Sequence, residues 1–94
     1  MALSNLSSVV RSTYKNTVGD YEIAYDVKQN TGEKADKVLG SIKKGDLKKG
    51  YILCEMDGRK SITIEAGVPD EDAKLLVSSV IDDANNIFAE RNTL

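Results

Sequence analysis

Tyr51-Ile52-Leu53-Cys54-Glu55-Met56-Asp57-Gly58-Arg59-Lys60-Ser61-Ile62-Thr63-Ile64-Glu65 is the stretch on which the reading of the fold turns. Two runs rich in β-branched and aromatic residues flank Asp57-Gly58. An Asp-Gly pair between such runs is a strong short-range hairpin signal, because a tight two-residue turn needs positive φ at its centre. A two-residue turn there predicts Leu53 opposite Ile62, Tyr51 opposite Ile64 and Glu55 opposite Lys60. One face of the hairpin is then apolar with an ion pair near the turn. The other carries Ile52, Cys54 and Met56 against Thr63, Ser61 and Arg59.

C-terminal to the hairpin, Pro69 suits a first helical turn and Asp70, Glu71 and Asp72 complement the positive end of a helix dipole. Ala73, Val77, Val80, Ala84 and Ile87 follow at spacings of four and three, widened by Leu76, Ile81 and Phe88. This predicts an amphipathic helix running to about Arg91, with Asp82, Asp83, Asn85 and Asn86 on its wet face. The expected core is Leu53, Ile62, Ile64, Val77, Val80 and Ile87.

N-terminal to the hairpin, Tyr21, Ile23, Tyr25 and Val27 alternate with Glu22, Ala24, Asp26 and Lys28, the pattern of a half-buried strand. Asn30-Thr31-Gly32 predicts a turn after it. Residues 33–44 admit two readings. With period two, Val38, Gly40 and Ile42 share a strand face. With helical period, Ala35, Val38, Leu39 and Ile42 share a stripe, but Gly40 would cost about 1 kcal/mol inside a helix. The strand completes a meander and is preferred. Leu3, Leu6, Val10 and Tyr14 stand at helical spacing, with Ser4 as a cap and Gly19 as a stop. The expected fold is therefore α+β over a single domain, residues 1–94: a four-stranded antiparallel meander flanked by an N-terminal helix and a long C-terminal helix. The alternative, with 33–44 helical, is α-β-α-β-β-α.

A chain of 94 residues has room for one modest core, so either the stability margin is small or a partner adds to it. Cys54 is the only cysteine, which excludes an intrachain disulfide. The first twenty residues lack a long apolar run, so neither a signal peptide nor a membrane span is expected, and a cytoplasmic location is. The net charge of −2 is unevenly spread. Residues 28–60 hold 9 Lys/Arg against 5 Asp/Glu, whereas residues 65–94 hold 2 against 7. Such a dipole can steer a partner or pair two copies.

The inventory for catalysis is thin. There is no histidine, hence no ordinary general base near neutral pH and none of the commonest metal ligand. Cys54, expected mid-strand, reads as an inert small hydrophobe. Neither acidic cluster has calcium-loop spacing, and no phosphate-binding glycine loop is present. No catalytic residue, metal or cofactor is expected. The basic residues Lys43, Lys44, Lys48, Lys49, Arg59 and Lys60 lie near predicted turns and are the candidate binding residues. They could track a phosphate backbone with Tyr21, Tyr25 or Tyr51 as stacking platforms. Against this, lysine-rich turns also serve solubility, and the pI of about 5.1 is acidic. The leading expectation is a non-enzymatic protein-interaction or oligomerisation module, working as a homodimer. The alternative is a single-stranded nucleic-acid-binding domain.

Overall fold

The computed structural model describes residues 9–30 and 34–91. Its elements are β1 (Val9–Val18), β2 (Tyr21–Asn30), β3 (Lys37–Lys44), β4 (Leu47–Glu55), β5 (Lys60–Ile64) and α1 (Asp70–Arg91). The strands form one antiparallel sheet in the order β1-β2-β3-β4-β5, a pure meander. The helix packs on one face.

The expected N-terminal helix is overturned. Leu3 and Leu6 lie outside the described residues, but Val10 and Tyr14 belong to β1. Tyr14, Asn16 and Val18 point toward the helix side, while Thr13, Lys15 and Thr17 are exposed. A polar Asn16 in the inward row hides this alternation from a reading based on apolar residues. Gly19, at φ +57, is not a helix stop but the first residue of the two-residue turn that pairs Val18 with Tyr21. The sheet thus has five strands, not four. The helical alternative for 33–44 is overturned as well: Val38 and Ile42 are fully buried on one face of β3, with Gly40 between them. A Cβ on Gly40 would crowd the Tyr25 ring and the Ile52 side chain at 3.2 Å each. The residue that weakened the helical reading is the one that lets two large side chains meet across β3.

The β4–β5 hairpin forms, but one residue out of the expected register. Ile52 faces Ile62, Leu53 faces Ser61 and Cys54 faces Lys60. The connection is a three-residue loop, Met56-Asp57-Gly58, closed by the Gly58 N–H donating to the Glu55 carbonyl and the Glu55 N–H to the Arg59 carbonyl. Gly58 takes φ +103, as the glycine of a bulged three-residue hairpin does. One added loop residue turns every β4 side chain to the opposite face relative to β5. Ile52 and Cys54 are therefore buried beneath the helix, and Tyr51 and Leu53 lie on the far side.

The core is Tyr21, Ile23, Tyr25 and Val27 of β2, Val38 and Ile42 of β3, Ile52 and Cys54 of β4, and Leu76, Val80, Ala84 and Ile87 of α1. Ala35 and Val68 close its ends, and Ile62, Ile64, Ala73 and Phe88 pack against it. The expectation for Val80, Ile87, Ile62 and Ile64 holds. Leu53 and Val77 are only half-buried, Leu53 on the wrong face of the sheet and Val77 beside the buried helix stripe.

Polar contacts fasten the helix along β2. The Tyr21 hydroxyl donates to Asp72 at 2.9 Å, and the Tyr25 hydroxyl to Asp83 at 2.6 Å. Asn16 donates to the same Asp83 oxygen at 2.9 Å. Gln29 and Arg91 exchange two bonds of 3.1 Å. These anchors span about 26 Å of strand and about 28 Å of helix, so α1 runs alongside β2. Asp83 is half-buried, which corrects the expectation of a solvated carboxylate. Burial, then the bond to Asp72, raises the Tyr21 phenol's pKa; burial, then the bond to Asp83, raises that of Tyr25.

Candidate interaction face

Among the described residues, the helix covers one face of the sheet and nothing covers the other. Cross-strand register arranges the open side chains in rungs. At the end bearing the β1–β2 and β3–β4 turns, Thr17, Glu22, Lys43 and Lys48 form one rung. The next is Lys15, Ala24, Ser41, Tyr51 and Thr63. The third is Thr13, Asp26, Leu39, Leu53 and Ser61. The middle of the face is thus apolar or small except for Asp26 beside Leu39, and its margin is charged in both signs.

The relief is uneven. Ala24 and Ser41 are short, and with Thr13, Lys15, Asp26 and Leu39 they border a depression of about 580 Å³ over β1, β2 and β3. On the other side of β3, Tyr51 and Leu53 stand up from β4. Tyr51 exposes 51% of its surface and Leu39 43%, which leaves two large apolar side chains in water on adjacent strands. The Lys48 ammonium lies 5.0 Å from the centre of the Tyr51 ring, within cation–π range. Lys15 pairs with Glu22 at 3.4 Å, both side chains being largely exposed.

The six candidate basic residues do not gather on one surface. Lys43 lies opposite Lys48 on the open face at the turn end. Lys44 faces the other way, its ammonium 5.6 Å from the Tyr21 ring on the helix side. Lys49 is half-buried at a register shift that follows Ile42 in the β3–β4 ladder, and its carbonyl accepts from the Glu65 N–H. Arg59 and Lys60 are at the opposite end of β4. Arg59 contacts Asp57 at 2.8 Å and Glu55 at 3.4 Å, and the Asp57 bond raises its pKa while lowering that of the carboxyl. The Lys60 ammonium donates to the Gly58 carbonyl at 3.0 Å. Of the tyrosines offered as stacking platforms, Tyr21 and Tyr25 are buried under the helix and Tyr51 alone is on the open face.

Cys54 is buried in β4, and burial raises its thiol pKa, which disfavours the thiolate. Among the described residues no group of three or more His, Cys, Asp or Glu is placed to hold a metal ion, and no helix is long and apolar enough to cross a membrane. A second hollow of about 530 Å³ runs along the flank of α1 past Ala73, Val77 and Ile81. Comparison of the chain with family models, with curated proteins and with solved structures gave no match.

Leu39, Ala24 and Ser41 escaped the sequence reading as site residues because period-two alternation marks them only as the outward half of a strand. A two-residue turn would place Tyr51 and Leu53 inward, and the observed register turns them outward. The signal that would have found them is Gly58, whose position also permits a three-residue loop.

Proposed function

We propose that the chain is a non-enzymatic protein-interaction module that works through the open face of its sheet. The observation that carries this reading is the exposure of Leu39 and Tyr51, with Leu53 beside them, near the centre of a face where Asp26 flanks Leu39 and charges of both signs lie on the margin. An apolar centre with a polar rim is the anatomy of a protein-binding patch. Tyrosine held upright by a lysine is a low-entropy anchor for such a contact.

The test is a comparative capture from cells of the source. Wild-type protein and a Leu39→Glu variant serve as baits, with Leu75→Glu, at an exposed position of α1, as the control. Copies of the chain itself count among the proteins recovered. Proteins retained by the wild type and by Leu75→Glu but lost with Leu39→Glu are the expected result. Identical recoveries from all three would refute the reading.

A second reading, a single-stranded nucleic-acid-binding domain, is favoured by the Lys48–Tyr51 contact with Lys43 opposite. A base could stack near Tyr51 while the lysines approach phosphates. Only Lys43 and Lys48 of the six candidates flank that tyrosine, so a log–log salt slope of roughly −1.5 follows. A fluorescence titration of a labelled single strand at two salt concentrations measures it. No binding at low salt rules this reading out.

A further inference from the structure

We propose that the partner on the open face is a second copy of this chain, docked about a two-fold axis that runs along β3. The proposal rests on the interaction reading above and goes beyond it by naming the occupant. Its basis is that the face carries a hollow and a ridge at the same level, on opposite sides of its central strand. Ala24, Ser41 and Tyr51 belong to one rung, on β2, β3 and β4. A two-fold rotation about an axis parallel to β3 lays β2 of one copy over β4 of the other and keeps each rung at its own level. Tyr51 of each copy then enters the hollow above Ala24 and Ser41 of its partner, and Leu39 meets Leu39 at the axis. An axis perpendicular to the strands would reverse the rungs and set Tyr51 against Leu53, ridge on ridge.

Charge follows the same operation. Glu22 and Lys48 share the end rung on β2 and β4, so the rotation places each opposite the other across the interface, twice per dimer. The same rotation sets Lys43 of β3 against the partner's Lys43, whose long stems can carry the two ammonium groups apart into water, and Asp26 of β2 over Leu53 of β4; both contacts oppose association. Two sheets packed in this way keep their strands within about 30° of each other, as aligned sandwiches do.

The area fits a reversible dimer. Five strands spaced at about 4.8 Å, each about eight residues long, present a face of about 600 Å², so about 1,200 Å² is buried in total. That is the low end of the range for specific interfaces.

Sedimentation velocity from about 1 to 500 µM tests this on the full chain. The wild type is expected to pass from monomer to dimer within that range. Ala24→Arg fills the hollow from an exposed-side position, and Tyr51→Ala removes the ridge. Each is expected to weaken dimerisation at least tenfold while leaving the far-ultraviolet circular dichroism of the dilute monomer unchanged. Lys48→Glu should weaken it too, and adding Glu22→Lys should recover part of the loss. A wild type that stays monomeric at 500 µM overturns the proposal. So does a dimer that survives both Ala24→Arg and Tyr51→Ala. If the wild type is monomeric yet Leu39→Glu still loses captured proteins, only the self-docking inference falls. If capture is also insensitive to Leu39→Glu, the interaction reading falls with it.

Discussion

Asp83 shows how a single helix residue can serve strand and helix together. It accepts from Tyr25 at 2.6 Å and from Asn16 at 2.9 Å, tying β1 and β2 to α1 across more than fifty residues of chain. Removing the Tyr25 hydroxyl as Tyr25→Phe keeps the ring against the core and deletes one charge-assisted bond. The expected loss is about 1–2 kcal/mol in urea unfolding, below the full value for a bond to a charged group because Asn16 still holds the carboxylate. The same contact has a pH signature. Burial, then the Asp83 bond, raises the Tyr25 phenol pKa above its ordinary value of 10.0. A raised phenol contributes its stability fully below pH 10 and loses it as pH rises beyond that, since the unfolded chain ionises first. Wild type should therefore lose stability above pH 10 more steeply than Tyr25→Phe, as read by unfolding at a series of alkaline pH values. Equal slopes would mean that the phenol is not held as the structure has it.

At the scale of elements, the helix was legible almost to its ends, because three-and-four spacing over twenty residues has no competing explanation. Its buried stripe is rotated slightly from the expected one: Leu76, Val80, Ala84 and Ile87 face the sheet, and Val77 stands beside them. Leu76→Ala should cost about 2–5 kcal/mol, whereas Val77→Ala should cost less than about 1 kcal/mol, because only the first leaves a cavity in a closed core. Thermal or urea unfolding of the two variants checks the orientation, and similar losses would contradict it. Strand β2 and the inward row of β3 were legible for the same reason as the helix, a clean period of two. The strand β1 was not, since Asn16 breaks the apolar alternation and finds its partner only in tertiary structure. The hairpin was legible as a hairpin but not in register. Asp57-Gly58 suits both a two-residue turn and the end of a three-residue bulged loop, and those differ by one residue in pairing. That one residue carried the candidate site: with the shorter loop Tyr51 and Leu53 are core, and with the longer one they are surface. The spread of the basic residues to both ends of the sheet was legible only in part, as alternation separates Lys43 from Lys44 but does not place Arg59 in the grip of Asp57.

The described residues form a two-layer structure with one face of the sheet covered, and behaviour in solution depends on what happens to the other. A helix pinned at Asp72, Asp83 and Arg91 leaves the sheet's far side to water, with Leu39, Tyr51 and Leu53 near its middle. The charge that marks the surface as self-complementary is the pair Glu22 and Lys48, which a two-fold along β3 sets against each other. The flank of α1 at Val77 and Ile81 is another apolar surface, and it belongs to the helix layer. Methyl resonances followed over a dilution series separate these surfaces residue by residue. The account predicts that the methyl signals of Leu39, Leu53 and Ala24 shift between about 10 and 500 µM as the open face becomes covered. Those of Leu76, Val80, Val77 and Ile81 should stay where they are. Signals that move at Val77 and Ile81 while Leu39 and Leu53 remain fixed would contradict it.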